Sequence, residues 1–123
     1  MYTITSAAPQ LLVDDLDKTL AFYKAVLGFT VDFIYEDFYA GISLGGGVLH
    51  IKCAPKIAED RQHRRTHEHL DAYFTVTCIE NLYHELESRG APIRRALEPR
   101  PWGMRDFYIE DPDGYILCFG EPA

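Results

Sequence analysis

The apolar positions of this chain fall into two runs that follow one plan. In the first, Leu11-Leu12-Val13 forms a short apolar stretch, Asp14-Asp15 follows, and then come Leu16, Leu20, Tyr23 and Leu27. Their spacings of four, three and four put them on one face of an amphipathic helix, with an aspartate suited to the N-cap and Gly28 to the stop. In the second run Tyr73-Phe74-Thr75-Val76 predicts a strand, and Ile79, Tyr83 and Leu86 mark a helical face that ends at Ser88-Arg89-Gly90. Val13 and Val76 lie 63 residues apart and Gly28 and Gly90 lie 62 apart, so the chain carries an internal repeat.

After each helix the period changes to two. Val31, Phe33 and Tyr35 alternate with Asp32 and Ile34, which predicts a strand. Gly45-Gly46-Gly47 separates Gly41-Ile42-Ser43-Leu44 from Val48-Leu49-His50-Ile51, and Asp111-Pro112-Asp113-Gly114 separates Phe107-Tyr108-Ile109 from Tyr115-Ile116-Leu117-Cys118-Phe119. Proline presets one turn dihedral and glycine accepts a positive φ, so the second of these is a strong turn signal. Each half is therefore strand, helix and three strands. The expected architecture is α+β: a single domain over 1–123, with one βαβββ unit over about 3–54, an exposed linker over about 55–70 and a second unit over about 71–120.

A chain of 123 residues with 47% hydrophobic, 13% aromatic and 25% charged residues is long and apolar enough to bury a core, which excludes a disordered or collagen-like polymer. The net charge of −7 argues against nucleic acid as a partner, because phosphate contacts need a basic face. No apolar run approaches the length of a membrane span and the start has no basic, then apolar, leader pattern, so a cytoplasmic location without membrane contact is expected. Three cysteines, Cys53, Cys78 and Cys118, without CxxC spacing argue against a disulfide framework and a cysteine-rich zinc site.

The tandem βαβββ plan resembles the vicinal oxygen chelate superfamily of glyoxalases, extradiol dioxygenases and bleomycin resistance proteins. So do Val13-Asp14-Asp15-Leu16, Ala21-Phe22-Tyr23 with Leu27-Gly28-Phe29, and the closing run from Trp102 to Gly114. The resemblance implies curved half-barrel sheets around a cleft, a homodimer that can exchange units, and ligand positions on the first and last strands of each unit. Counting back eight residues from each helix start places Ala8 and Asp71 at the first-strand positions, with His50 and Cys118 at the last-strand positions. A methyl group cannot bind a metal, and a thiolate is poorly matched to iron, manganese or magnesium.

Two sites follow from these residues. In a metal-free, antibiotic-resistance-type binding protein, a small molecule is sequestered in an aromatic cleft without cofactor. Trp102, Phe38 and Phe107 stack on it, and His50, Asp71, Cys118 and Arg105 orient it. The other aromatics placed near the middle strands of the first unit are Phe33, Tyr35 and Tyr39. In the alternative, His50, Asp71, Cys118 and His69 hold a divalent metal for a glyoxalase-type lyase, isomerase or dioxygenase; His67 and His69 would then share one face with Asp71 in an extended segment. A third reading is a non-catalytic assembly domain.

Overall fold

The computed structural model describes Met1, residues 3–54 and residues 58–123, and divides into two compact units, Met1–Ile57 and Ala58–Ala123. The first contains β1 (Gln10–Val13), α1 (Leu16–Ala25), β2 (Thr30–Tyr35), β3 (Tyr39–Leu44) and β4 (Gly47–Cys53). The second contains α2 (Ala58–Thr66), β5 (Ala72–Thr75), α3 (Ile79–Ser88), β6 (Ile93–Pro99), β7 (Met104–Glu110) and β8 (Ile116–Pro122). Each unit forms an open, curved, four-stranded mixed sheet, with strand order β1-β4-β3-β2 in one and β5-β8-β7-β6 in the other. The first strand of each unit runs parallel to the last, and the remaining pairs are antiparallel. A parallel pair needs a long crossover, and the helix with the two middle strands supplies it in both units.

Local chemistry explains the helix boundaries. The Asp15 carboxylate accepts from the Lys18 amide at 3.0 Å and caps α1, while Gly28 takes φ 82°, a left-handed conformation that glycine adopts without strain. At the start of α3 the N-cap is Cys78, itself left-handed at φ 54°, and its side chain makes no cap bond. Glu121 of β8 replaces that cap: its two carboxylate oxygens accept from the Cys78 and Ile79 amides, each at 3.1 Å. The Asp111 carboxylate likewise closes the β7–β8 turn by accepting from the Asp113 and Tyr115 amides at 2.9 Å.

Strand alternation sorts each sheet into a face packed on its helix and an open face. In the first unit Leu11, Val13, Ala40, Ile42, Leu49 and Ile51 are buried with Leu16, Leu20 and Tyr23 of α1. In the second, Phe107, Ile109, Leu117 and Phe119 are buried with Ile79 and Leu86 of α3; Phe107 stacks on Phe119 at 5.4 Å and meets Tyr83 edge-on at 5.0 Å.

The linker expectation needs correction. Most of the described part of 55–70 is helix α2, and the boundary between units falls before it, so it belongs to the second unit. Its residues show no apolar stripe; ion pairs tie it down instead, Arg64 to Asp71 at 2.9 Å and Arg65 to Glu110 at 2.8 Å. The chain after it is not extended, because Glu68 takes φ 53°.

Candidate functional site

On the open face of the first unit, sheet register places Gln10 and Gly41 beside His50. The Tyr39 hydroxyl lies 2.8 Å from His50 Nδ1 and accepts from Gln10 Nε2 at 3.3 Å. Phe33 follows a β-bulge between Val31 and Phe33, a device that re-aims side chains. Its ring lies against the backbone of Gly41, where an added Cβ would stand 2.2 Å from Phe33 Cε1. That ring stacks with Tyr39 at 6.2 Å and 13°, and meets His50 edge-on at 5.5 Å and 89°. Phe38 extends the cluster, edge-on to Tyr35 at 5.8 Å and to Tyr39 at 6.5 Å. Phe33, Tyr35 and Phe38 remain 44%, 60% and 39% exposed, so the cluster presents apolar ring surface on the open face rather than filling a core.

The corresponding face of the second unit has different chemistry. Here register aligns Tyr73 and Tyr108 with Cys118. The Cys118 thiol is fully buried and donates to the Asp106 carboxylate; burial first, and then the Asp106 charge, push its pKa up to about 12 against the opposing Arg100 guanidinium. The thiol is therefore neutral at physiological pH. Asp106 accepts from Arg100 Nε at 2.6 Å, Arg100 Nη1 donates to Glu98 at 2.5 Å, and the guanidinium lies 5.5 Å from the Tyr108 ring centroid. Burial raises the Tyr73 and Tyr108 phenol pKa values, with the Cys118 thiolate that forms only at high pH and the Asp106 carboxylate adding to it, so both hydroxyls stay protonated. Towards β6, Glu110 accepts from Arg65 Nε at 2.8 Å and from Arg94 Nη1 at 2.5 Å, while Glu68 accepts from Arg95 Nε at 2.6 Å.

The residues singled out from the sequence are distributed unevenly over these surfaces. His50 and Phe38 belong to the aromatic face, and Cys118 lies beneath the charged one. Asp71 is committed to structure: its Oδ1 accepts from Arg64 and its Oδ2 accepts from the Ile116 amide at 2.9 Å. Ala8 lies two residues before β1 and Asp71 directly before β5; the residues registered with His50 and Cys118 are Gln10 and Tyr73. Phe107 is corrected from a ligand contact to a core residue, since its place in the strand alternation turns it toward α3. Arg105 also points to the helix side, where it pairs with Glu80 of α3 at 2.7 Å. Trp102 stands 66% exposed in the turn between β6 and β7. His69 sits near His63 and His67, with ring centroids 5.9 and 6.1 Å away, beyond the end of α2 and not on a strand. A groove of about 270 Å³ between α2 and the β7–β8 turn, lined by Arg61, Arg65, Glu110 and Asp113 among others, includes none of the expected ligand contacts.

Gln10, Tyr73, Asp106 and Arg100 complete these faces and were missed from the sequence. Alternation around His50 and Cys118 was the available signal, but it needed the strand register to be read.

The residues proposed to hold a divalent metal do not fit one as they stand in the second unit. The Cys118 thiol is neutral and bonded to Asp106, and both Asp71 oxygens are occupied by nitrogen donors. Among the described residues no group of three or more His, Cys, Asp or Glu side chains is arranged to hold a metal ion. None of the described helices is long and apolar enough to cross a membrane.

Fold and surfaces together define a class: a tandem βαβββ protein whose open sheet faces carry its polar and aromatic chemistry. The chain belongs to the glyoxalase/bleomycin resistance protein/dioxygenase superfamily, whose family model matches residues 4–119. Its fold is shared by a bleomycin-binding protein solved with bleomycin, at TM-score 0.78 and 23% identity over 98% of this chain and 100% of that one. A glyoxalase-related enzyme from Clostridium phytofermentans is similar at TM-score 0.79 and 20% identity, over 99% and 98% of the two chains. TioX from Micromonospora sp. ML1 is similar at TM-score 0.74 and 18% identity, over 96% and 99%. No match is found among curated proteins.

Proposed function

We propose that this protein binds a small, flat, antibiotic-like molecule without metal or chemical turnover, acting as a cytoplasmic homodimer that sequesters its guest. The observation that carries this reading is the cluster of exposed Phe33, Tyr35 and Phe38 with half-buried Tyr39 around His50. Small-molecule sites are mostly aromatic and apolar with a few convergent polar groups, and this face has that composition. The commitments of Asp71 and Cys118 support the metal-free form of the reading, and the bleomycin-bound relative supports a small-molecule guest. The acidic balance of −7 favours a cationic guest by raising its local concentration. Pairing of two chains, with or without exchange of units, would give the open faces an opposing wall.

Isothermal titration with metal-free bleomycin, before and after EDTA treatment, tests the reading alongside sedimentation analysis. Saturable binding by a dimer, unchanged by EDTA, is the expected result. Stoichiometric metal in the purified protein, with a Tm lowered by EDTA and restored by one divalent ion, would establish the metal-dependent alternative instead.

A further inference from the structure

We infer that His50 is a specificity-determining hydrogen-bond donor, held in one tautomer by Tyr39, and that the guest it selects carries a neutral acceptor at the edge of a flat ring. The inference rests on the binding reading above and names the chemistry of its ligand. Its starting point is the relay in which Gln10 Nε2 donates to Tyr39 Oη at 3.3 Å and Tyr39 Oη lies 2.8 Å from His50 Nδ1. The short contact contains one shared proton. A phenol is a stronger acid than a neutral imidazole N–H, and an unprotonated imidazole nitrogen is a stronger base than a phenol oxygen, so the hydroxyl proton points at Nδ1 and the phenol oxygen is left to accept from the Gln10 amide. His50 Nδ1 is then the acceptor and Nε2 carries the ring hydrogen.

That Nε2–H has no partner among the described residues. The imidazole is held edge-to-face by Phe33 and Tyr39, both at 5.5 Å, so its ring cannot turn freely to satisfy Nε2 elsewhere. Phe33 lies against the sheet only because its neighbour is Gly41, the residue registered with His50 across β3 and β4. A flat guest stacked on Phe33 therefore brings its edge to a fixed donor. A ring nitrogen or carbonyl oxygen satisfies it, and an all-carbon ring leaves it unpaired in a partly desolvated place. Metal ligation through Nε2 requires the opposite tautomer, with Nδ1–H donating to Tyr39.

Two measurements on the full chain decide the matter. Long-range ¹H–¹⁵N spectra of histidine-labelled protein at pH 8, with the His50 signals assigned by their loss in His50→Phe, read the tautomer directly. The Nε2–H form is expected in the wild type, and loss of that bias is expected in Tyr39→Phe. Quinoline and naphthalene, which share a shape and differ by one ring nitrogen, are then titrated while the Phe33 and Tyr39 ring signals are followed. The quinoline-to-naphthalene affinity ratio should fall about three- to tenfold in His50→Phe, the worth of one net hydrogen bond. A wild-type Nδ1–H tautomer, or an unchanged ratio with both probes bound, overturns this inference and leaves the binding reading standing. If neither probe moves the Phe33 and Tyr39 signals, the binding reading falls with it.

Discussion

The two units share strand order, parallel closure and helix placement, yet their open faces are built from different materials. In the first, rings lie exposed on the sheet around a single hydrogen-bond relay. In the second, arginines and carboxylates neutralise one another over a buried thiol. Both faces use a glycine to let a ring approach the backbone: Gly41 beneath Phe33, and Gly120 beneath Tyr73, whose hydroxyl lies 2.0 Å from where a Cβ would stand. The repeat thus keeps one backbone arrangement while its side chains differ: one open face exposes aromatic rings, and the other is tied together by ion pairs.

The largest expected effect comes from removing a member of the second face. Asp106→Ala leaves the Arg100 guanidinium, whose side chain is only 9% exposed, without its buried counter-charge, and should cost about 3–5 kcal/mol in urea denaturation. Phe33→Ala provides the counterpart on the first face. Exposed ring surface contributes little to folding, so a loss of about 1 kcal/mol or less is expected, with guest affinity weakened at least tenfold. Equal stability losses with unchanged binding would erase the proposed division between the faces.

A pH series sharpens the same contrast. The Cys118 pKa is raised from an ordinary 9.0 to about 12, so above pH 9 the unfolded thiol ionises while the folded one does not. Its contribution is fully present below pH 9 and is lost as pH rises toward 12, with a slope of at most about 1.4 kcal/mol per pH unit. Urea midpoints should therefore fall more steeply between pH 8.5 and 10.5 for the wild type than for Cys118→Ala. Iodoacetamide labelling followed by mass spectrometry checks accessibility: exposed Cys78 should react in the native protein and Cys118 only after unfolding. The smallest effect is expected for Arg105→Ala, which breaks a solvent-exposed pair with Glu80 and should cost less than about 1 kcal/mol without altering guest binding. A large affinity loss there would return Arg105 to the site.

Much of this plan could be read along the chain. Leu16, Leu20, Tyr23 and Leu27 declare a helix by spacing, Asp111-Pro112-Asp113-Gly114 declares a turn by its dihedral demands, and the 63-residue offset declares the repeat. Helix α2 escaped because its residues are polar all round. Its ties to Asp71 and Glu110 reach 7 and 45 residues along the chain, and no local period encodes them. His50 was legible as an open-face residue from its alternation with Leu49 and Ile51, but its partners were not.

What the sequence determined by itself was therefore periodic or local: two helices with an apolar stripe, their stops, the turns and the repeated order of strands. Only the tertiary structure decided which residues stand beside one another across strands. A shift of two residues preserves the face of every side chain, so alternation is blind to it. Register alone placed Gln10 beside His50 and Tyr73 beside Cys118. Chemistry at these faces depends on lateral neighbours, and backbone pairing between segments distant in sequence is what assigns them.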